Sequence, residues 1–391
     1  MSESGGRYAH ITGWGAHVPA RAVTNQDLSQ ILPTSDAWIQ ERTGIVERHI
    51  AEEGEYTSTM AIHAGRQALK IANLDPSVLD LVICATSTPD YLMPNTASLI
   101  QDGLGAGNAA AFDLNTACSG FVYAVSVAAG LIKGGLYERI LVIGAESMSR
   151  VMNWSDRSTC VLFGDGAGAV VLEASDRPGG VLSSKLGSDG SGGDLLMVGL
   201  GTRLPITQDS VARGETAMKM NGQQVFRFAT RIMSEATKEV TALAGLQLAD
   251  IDLIVPHQAN TRILEVAAKQ LGFAPGRIYS NVHRYGNTSA ASIPLALVDA
   301  LSEGRIRAGD HIVFVGFGGG LTWGACLVEW SFGPQDRHWS ASQRALRWIR
   351  DRLARVKGGL HALDRKLAAA GRGRRKGDDG GPWRGLGPGQ P

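Results

Sequence analysis

The sequence predicts an α/β fold built from two duplicated halves, in which helices cover both faces of each sheet. The first observation is an internal repeat. A shift of 172 residues places residues 80–83 (DLVI) on 252–255 (DLIV) and residues 140–144 (ILVIG) on 312–316 (IVFVG). The second is the alternation of short apolar strands with helices, which is typical of sheets covered on both faces. Agreement at one constant offset indicates a duplication.

Each half is expected to contain a strand, an apolar helix and a second strand. We predict these elements at 81–86, 118–133 and 139–144 in the first half, and at 252–256, 290–302 and 311–316 in the second. The helix at 118–133 is apolar on nearly every side, which predicts burial between layers. Gly134 and Gly135 are expected to end it.

A chain of 391 residues exceeds one ordinary core, so two halves and an appendage are expected. We place the first half at 1–178, the second at 179–330 and a C-terminal extension at 331–391. The extension carries 14 Lys and Arg against 5 Asp and Glu, a net charge of +9. The remainder carries 24 against 32, a net charge of −8. The sequence therefore predicts an acidic body with a basic tail.

The composition predicts a soluble, cytoplasmic protein. Hydrophobic residues make up 44% and charged residues 19% of the chain. No uninterrupted apolar run approaches the roughly 18 residues that suggest a membrane span. The N-terminus lacks the basic and then apolar layout of a signal peptide. The four cysteines are widely spaced with no CxxC pair, so neither a zinc site nor a redox dithiol is expected.

Cys118 is the first candidate catalytic residue. It lies in residues 113–121 (DLNTACSGF), where polar residues give way to the apolar helical run. A helix N-terminus presents unpaired N–H groups and a positive dipole end, which stabilise a thiolate. An isolated cysteine is more often a buried structural residue, and Cys84, Cys160 and Cys326 are interpreted in that way.

His257 and Asn287 are the second and third candidates. His257 follows an apolar strand, and Asn287 precedes an apolar helix within residues 286–292 (GNTSAAS). A single histidine at a strand end is often structural, and Asn-Thr-Ser is also an ordinary helix cap. Under the repeat, Cys118 is equivalent to Ala290, so the thiol and the His257 and Asn287 pair come from different halves. We therefore expect one reaction centre at the junction of the halves.

From about Ala9 to Trp330, the chain resembles the beta-ketoacyl-[acyl carrier protein] synthase III enzymes of the thiolase superfamily. Five segments carry the resemblance in order: 35–45 (SDAWIQERTGI), 163–169 (FGDGAGA), 257–260 (HQAN), 286–292 (GNTSAAS) and 317–320 (FGGG). The resemblance implies a thiolase-like five-layered αβαβα fold in a homodimer. It also implies an acyltransferase of fatty acid biosynthesis.

The implied chemistry is a decarboxylative Claisen condensation. Cys118 attacks an acyl-CoA thioester and coenzyme A leaves. Malonyl-[acyl carrier protein] then loses carbon dioxide to give an enolate, which attacks the acyl-enzyme. The products are 3-oxoacyl-[acyl carrier protein], coenzyme A and carbon dioxide. The resemblance implies no metal and no cofactor, because the coenzyme A thioester is itself the substrate, and no nucleic acid partner.

The resemblance also assigns roles to individual residues. The backbone N–H groups of Cys118 and Gly319 are expected to bind the tetrahedral oxyanion, because a glycine backbone can approach a ligand closely. His257 and Asn287 are expected to stabilise the enolate. The sequence leaves open whether His257 or only the helix dipole activates the thiol.

Substrate contacts are predicted in the same way. Trp38 and Arg157 are expected to hold the adenine of coenzyme A. Arg42, Arg227 and Arg262 are expected near its phosphates or the carrier protein. The acyl pocket is expected to be lined by the neighbouring subunit's own copies of Leu92 and Met93, together with Leu162, Phe163 and Phe226 of the same chain. Met93 is flexible and would admit a primer longer or more branched than acetyl-CoA, which is the first choice.

The extension has no counterpart in the typical synthase. Apolar residues recur in it at alternating spacings of three and four, surrounded by arginines: Leu346, Ile349, Leu353, Val356, Leu360, Leu363 and Leu367. One hypothesis is a helix packed on the body or a poorly ordered appendage. The other is a basic amphipathic helix that contacts the carrier protein, a membrane surface or a second tail. Gly358 and Gly359 are expected to interrupt the helix, and the last twenty residues to be disordered.

Four rival interpretations are weighed. A degradative thiolase needs a second cysteine in a late CxG motif, whereas Cys326 precedes Leu327 and Val328. A 3-hydroxy-3-methylglutaryl-CoA synthase needs a glutamate base, and no glutamate here stands in a recognisable motif for it. A non-catalytic binding subunit normally lacks the nucleophile. A synthase III-like condensing enzyme of specialised metabolism, with another primer, remains the alternative.

Overall fold

The computed structural model describes residues 7–331 and the positions 349, 352, 353, 356 and 358–360 of the extension. The strands are β1 (Tyr8–His17), β2 (Ala22–Thr24), β3 (Glu47–His49), β4 (Leu81–Ala85), β5 (Ala110–Leu114), β6 (Arg139–Ser147), β7 (Asp165–Ser175), β8 (Gly180–Ser188), β9 (Leu196–Val198), β10 (Met218–Met220), β11 (Leu253–Pro256), β12 (His311–Gly318) and β13 (Thr322–Glu329). The helices are α1 (Asn25–Ser29), α2 (Asp36–Thr43), α3 (Thr57–Ala72), α4 (Thr96–Leu104), α5 (Gly120–Lys133), α6 (Gln208–Ala212), α7 (Gly222–Leu243), α8 (Thr261–Leu271), α9 (Val282–Tyr285) and α10 (Ser292–Ser302).

Two mixed sheets form the framework. The first has the order β1-β7-β6-β4-β5 and the second the order β8-β13-β12-β11. The order β1-β7-β6-β4 of the first sheet corresponds to β8-β13-β12-β11 of the second. In each of these sets the last two strands run parallel, β6 with β4 and β12 with β11. The other neighbouring strands in the two sets are antiparallel. The short pairs β2 with β3 and β9 with β10 stand apart from these sheets.

The layers follow from which faces are apolar. Helices α5 and α10 lie between the sheets, where residues such as Phe121 and Ile293 pack with strands of both halves. Helices α3 and α4 cover the outer face of the first sheet. Helices α7 and α8 cover the outer face of the second. The observed five-layered arrangement confirms the predicted fold class.

The repeat is visible in the positions of the elements. Strands β1, β4 and β6 begin 172 residues before β8, β11 and β12 respectively. Two short 3-10 turns recur at the same offset, and one such pair is Ala117–Ser119 and Ser289–Ala291. Ala117 and Ser289 both have φ of 49°, in the left-handed region that non-glycine residues seldom adopt. The duplication therefore extends to backbone conformation at the two turns.

Two equivalent glycines allow the 3-10 turn of each half to pack closely against a strand of the other half. A Cβ on Gly144 of β6 would lie 2.2 Å from the carbonyl oxygen of Ala290. A Cβ on Gly316 of β12 would lie 3.3 Å from the carbonyl oxygen of Cys118. Since the strands and turns cross over in this way, Cys118 lies against the second half. This crossing positions the candidate site at the junction.

The central helix begins later than predicted. Residues 117–119 form a 3-10 turn, and α5 begins at Gly120. Its end agrees with the prediction, because Lys133 is its last residue and Gly135 has φ of 78°. Cys118 therefore lies just before the α-helix rather than in its first turn.

The described positions of the extension are helical. Gly358 and Gly359 are among them, so the predicted interruption at these two glycines is wrong. Ile349, Leu353, Val356 and Leu360 are exposed. The other positions of the predicted apolar series, and the last twenty residues, lie outside the described residues. Among the described residues, no helix combines the length and apolar character that a membrane span requires.

Candidate active site

One cavity of about 330 Å³ collects the three candidate catalytic residues. Both halves contribute to it. Its lining includes Trp38, Arg42, Thr43, Cys118, Ser158, Val161, Leu162, Phe163, Leu196, Met220, Gly222, Val225, Phe226, His257, Ala259, Asn260, Arg262, Ile263, Asn287, Phe317 and Gly318. The predicted meeting of Cys118 with His257 and Asn287 in one pocket is thus observed in the structure.

Cys118 is nearly enclosed, with 5% of its surface exposed. Burial raises the pKa of the thiol to about 12, and the nearby carboxylate of Glu146 acts in the same direction. The Ser289 hydroxyl, a hydrogen-bond partner of the thiol, and the backbone N–H of Cys118 lower the pKa by less. Burial therefore favours the neutral thiol, and the activating group that the sequence leaves open stays open.

His257 is held at the end of β11 by both backbone and side chain. Its N–H donates to the carbonyl of Val315 at 2.8 Å, and its Nδ1 lies 2.6 Å from Ser292 Oγ. The edge of the ring meets Phe317, with 5.2 Å between centroids. Burial lowers the pKa of His257 to about 3, so the imidazole is neutral near pH 7.

Ser292 is the partner of one ring nitrogen of His257. Ser292 Oγ accepts from the backbone N–H of Gln258 at 3.3 Å and lies 2.6 Å from His257 Nδ1. A serine hydroxyl has one hydrogen and two acceptor sites, so it pairs with either tautomer of the neutral imidazole. In the tautomer whose Nδ1 accepts from Ser292, the ring proton is on Nε2, which can donate one hydrogen bond.

Asn287 is fixed by its own backbone. Its N–H donates to Leu162 O at 2.8 Å, and its carbonyl accepts from Gly164 N at 3.0 Å. Its side-chain Oδ1 accepts from Ser289 N at 2.8 Å. Since Oδ1 is engaged, the amide Nδ2 remains as a donor. Two side-chain donors from the second half thus share the cavity with the thiol.

The run of three glycines that begins at Gly318, the last residue of β12, comes close to Cys118. A Cβ on Gly318 would lie 2.6 Å from the backbone nitrogen of Cys118, so only glycine permits this approach. Gly319 is the next residue and packs against Leu196, and it is not among the residues that line the cavity. Its assignment to the oxyanion site stays a prediction.

The predicted substrate residues divide into two groups. Trp38, Arg42, Phe226 and Arg262 line the cavity, as do Leu162 and Phe163. Arg157 and Arg227 are exposed outside the lining.

Leu92 and Met93 also lie outside the cavity of their own chain, with 93% and 84% of their surface exposed. That position is compatible with a contribution to a neighbouring subunit.

Trp38 already has two cationic neighbours. The guanidinium carbons of Arg42 and Arg157 lie 4.8 Å and 5.0 Å from the centre of its ring. Arg157 also donates to the carbonyl of Pro33. The adenine of coenzyme A was predicted to lie between Trp38 and Arg157, but in this structure Arg157 itself occupies the space beside the indole. A base would enter only after Arg157 moved.

Three polar residues around the site had no role in the sequence prediction. Ser292 Oγ lies 2.6 Å from His257 Nδ1, and Ser289 Oγ donates to the fully buried carboxylate of Glu146 at 2.9 Å. The available signal was a charged residue at the end of an otherwise apolar strand, ILVIGAE at 140–146. Throughout the described part of the chain, no group of three or more His, Cys, Asp or Glu side chains is arranged to hold a metal ion.

Comparison with known proteins identifies the family. Residues 112–190 match the sequence profile of 3-oxoacyl-[acyl-carrier-protein] synthase III, and residues 241–330 match the profile of its C-terminal part. The chain is 51% identical over 325 residues to beta-ketoacyl-[acyl-carrier-protein] synthase III of Roseiflexus sp. (strain RS-1), covering 83% of this chain and 99% of that relative. The same enzyme of Symbiobacterium thermophilum is 53% identical over 321 residues, covering 82% and 97%.

Solved structures agree with the sequence relatives. The 3-oxoacyl-[acyl-carrier-protein] synthase III of Aquifex aeolicus VF5 is 44% identical with a TM-score of 0.77, covering 82% of this chain and 99% of that one. The priming beta-ketosynthase of the R1128 polyketide biosynthetic pathway is 35% identical with a TM-score of 0.79, covering 85% and 98%. Near-complete coverage of relatives at half identity, together with a thiol, an imidazole and a carboxamide in one cavity, shows that this chain belongs to the 3-oxoacyl-[acyl-carrier-protein] synthase III family of acyltransferases.

Proposed function

We propose that the protein condenses an acyl-CoA primer, with acetyl-CoA as first choice, with malonyl-[acyl carrier protein]. The products are 3-oxoacyl-[acyl carrier protein], coenzyme A and carbon dioxide, and the reaction starts fatty acid synthesis. The observation that carries the proposal is the shared cavity of Cys118, His257 and Asn287. Family membership supports the same reaction class.

The first step is transfer of the acyl group to Cys118. The sulfur attacks the thioester carbon, and the backbone N–H groups of Cys118 and Gly319 bind the oxyanion. One such donor typically contributes about 3 kcal/mol to transition-state stabilisation. The close packing of Gly318 on the Cys118 amide supports this arrangement, since it brings the two backbone segments together.

The second step is formation of the carbon nucleophile. As the malonyl group loses carbon dioxide, negative charge develops on its thioester oxygen. The Nε2–H of His257 and the Nδ2 of Asn287 donate to that oxygen in our proposal. The neutral state of His257 supports this role, because the tautomer whose Nδ1 accepts from Ser292 carries a proton on Nε2 and is a donor without a net charge. Neither step calls for a metal or cofactor, because the thioesters supply the reactive carbonyl groups.

We further propose a cytoplasmic homodimer. Strand β5 lies at the edge of the first sheet, where Ala110 is exposed and residues 111–114 are half-buried. An edge strand pairs readily with a second copy. Leu92 and Met93 stand exposed on the loop between β4 and α4 of the same half, which suits insertion into a neighbouring subunit. The 3-oxoacyl product is then formed in a pocket completed by two chains.

A second candidate function is priming in specialised metabolism with a different acyl-CoA. The likeness to the R1128 priming beta-ketosynthase favours keeping it. The cavity is lined mainly by apolar side chains such as Val161, Leu162 and Ile263, which set primer size by shape rather than by charge. A panel of acyl-CoA primers that differ in length and branching, offered with malonyl-[acyl carrier protein], separates the two. Preference for acetyl-CoA supports the first, and preference for a longer or branched primer supports the second.

Substitution of the nucleophile tests the reaction itself. Incubation with acetyl-CoA should add one acetyl group to the wild type, as seen by intact-protein mass spectrometry. Cys118→Ala should show no adduct, because no other thiol lines the cavity. Cys160→Ala serves as the matched control, since Cys160 is also buried and has a raised thiol pKa. An adduct that survives in Cys118→Ala would refute the assignment.

A further inference from the structure

We infer that Arg48 is a positioning residue for Asn287, although Arg48 itself lies outside the cavity. The inference rests on the proposed function, in which the Asn287 carboxamide stabilises the enolate. Arg48 is the middle residue of β3 and is completely buried. It is not among the residues that line the cavity. Arg48 can therefore act on the reaction only through the backbone that it holds.

The guanidinium of Arg48 connects a pair of strands to the wall of the cavity. Its Nη1 donates to the carbonyl of Val23 in β2 at 3.1 Å, and its Nη2 donates to the carbonyl of Val161 at 2.8 Å. Val161 is the first residue of the cavity wall, which comprises residues 161–163. Since β2 pairs with β3 at Val23 and Arg48, the cavity wall is anchored to these paired strands.

The cavity wall in turn holds the backbone of Asn287. The N–H of Asn287 donates to the carbonyl of Leu162 at 2.8 Å, and its carbonyl accepts from the N–H of Gly164 at 3.0 Å. Phe163 and Asn287 form an isolated parallel bridge between these two bonds. Arg48 thus binds the carbonyl of one residue, and Asn287 binds the carbonyl of the next. A shift of the cavity wall therefore moves the Asn287 backbone and, with it, the carboxamide.

Packing provides a second contact that is independent of the hydrogen bonds. A Cβ on Gly164 would lie 3.1 Å from the Cβ of Arg48, and a Cβ on Gly286 would lie 3.4 Å from the same atom. Gly164 follows the cavity wall, and Gly286 precedes Asn287. The stem of Arg48 therefore lies beside both segments, so its shape as well as its hydrogen bonds affects the position of Asn287.

Stability alone does not account for a charge at this position. Burial lowers the pKa of Arg48 to about 10, so the guanidinium is charged near pH 7. Within residues 7–331, no carboxylate lies within ion-pair distance of it, and its buried Nε has no hydrogen-bond partner. Burial of a charge without an opposite charge destabilises a fold. Two donors that hold two carbonyls do account for an arginine here.

The nucleophile is supported by a different part of the fold. The turn with Cys118 packs on β12, where Gly316 and Gly318 approach its backbone. The hydrogen bonds of Arg48 reach neither that turn nor β12. Loss of Arg48 should therefore impair formation of the enolate more than acetylation of Cys118.

The test measures the two half-reactions separately in Arg48→Met, which keeps a long unbranched stem and removes every donor. Transfer of acetyl from acetyl-CoA to Cys118, followed by intact-protein mass spectrometry, should proceed near the wild-type rate. Release of carbon dioxide from malonyl-[acyl carrier protein] by the acetylated enzyme should slow about tenfold to a hundredfold, because a misplacement of about 1 Å has effects of this size.

A double variant separates positioning from general damage. Asn287→Ala removes the donor itself, so its loss of carbon dioxide release is the largest loss expected of a residue that acts only through Asn287. Arg48→Met combined with Asn287→Ala should be no slower than Asn287→Ala alone, because a misplaced donor matters only while the donor is present. Losses that multiply in the double variant would contradict the inference.

Arg139→Met is the matched control. Arg139 is also a buried arginine, but it lies at the start of β6, contributes nothing to the cavity lining, and has its Nε 3.8 Å from Glu173 Oε2. Its replacement should lower the midpoint of thermal unfolding, while the ratio of the two half-reaction rates stays at the wild-type value.

Arg48→Lys covers the case in which Arg48→Met does not fold, since it keeps the charge but lacks the planar fork of donors. It should show the same selective loss of carbon dioxide release, of smaller size. Equal slowing of both half-reactions in a folded Arg48 variant, or slowing of neither, would overturn the inference. If Asn287→Ala released carbon dioxide at the wild-type rate, the enolate role of Asn287 in the proposed function would fail instead.

Discussion

His257 and Cys118 lose nearly all contact with water in the folded chain, and this loss shifts both groups toward their neutral forms. The imidazole has a pKa near 3 and the thiol a pKa near 12, each displaced mainly by burial. A neutral imidazole suits a hydrogen-bond donor to the enolate oxygen. A neutral thiol suits storage of the nucleophile, provided that a neighbouring group removes the proton when the substrate arrives.

The shifted histidine predicts how stability depends on pH. In the unfolded chain His257 binds a proton below pH 6.5, whereas in the folded chain it stays neutral down to about 3. Its contribution to folding is therefore complete above pH 6.5 and is lost as the pH falls. Between pH 6.5 and about pH 5 we expect the free energy of unfolding to fall by about 2 kcal/mol more in wild type than in His257→Gln.

Urea titrations monitored by circular dichroism at several pH values measure this difference. His283→Gln is the control, because the His283 side chain is exposed and its replacement should leave the pH dependence of the wild type unchanged. If the free energy of unfolding fell equally with pH in wild type and in His257→Gln, the assignment of His257 as neutral would be contradicted.

At the scale of elements, the site depends on two turns that cross between halves. The turn with Cys118 lies over β12, and the turn with Ser289 lies over β6. Gly144 and Gly316 make these contacts possible, because a side chain at either position would meet backbone atoms of the opposite turn. The positions of Cys118 and Ser289 at the junction are thus set by the packing of turns on strands.

Gly144→Ala tests this dependence. Its Cβ would lie 2.2 Å from Ala290 O, so the turn must move. We expect a loss of about 1 to 3 kcal/mol in unfolding free energy and slower acylation of Cys118. Gly130→Ala is the control, because its Cβ meets nothing within 4 Å on helix α5. The free energy of unfolding of that variant should rise by about 0.5 to 1 kcal/mol, and its Cys118 should be acylated at the wild-type rate. Normal acylation in Gly144→Ala would show that the turn tolerates displacement.

Much of this element arrangement follows from the sequence, and part of it does not. The apolar segments and the offset of 172 residues predicted the sheets and the buried helices, because hydrophobic periodicity is local. Cys118, His257 and Asn287 were found from motifs that join polar residues to element ends. Glu146 was missed because its contact with Ser289 forms only when β6 packs against the other half. The raised pKa of the thiol could not be predicted from the sequence, because burial depends on the tertiary fold.

At the scale of the whole molecule, the body includes the first residue after the predicted boundary. Ser331 is buried and its hydroxyl lies 2.9 Å from His10 Nδ1 and 3.3 Å from Gly180 N. Ser331, which the sequence analysis places in the extension, thus packs against the body. Beyond it the basic extension begins, and four of its apolar side chains between Ile349 and Leu360 are exposed.

Deletion of residues 332–391 tests whether the body works alone. We expect the midpoint of thermal unfolding to stay within a few degrees of the wild-type value. At high salt, turnover of acyl-CoA with malonyl-[acyl carrier protein] should stay within about twofold of wild type. At low salt, the KM for the carrier protein should rise, because a net charge of +9 is removed. Steady-state kinetics at two ionic strengths measure both. Collapse of turnover at high salt would show that the extension belongs to the body.

The two left-handed turns have consequences for stoichiometry. They occupy equivalent places in the fold, yet the residue after Ala117 is Cys118 and the residue after Ser289 is Ala290. One turn presents the sulfur, and its mate presents a methyl group and lends its hydroxyl across the junction. Under the proposed function, one polypeptide of two similar halves therefore takes up a single acyl group, on the half that carries Cys118.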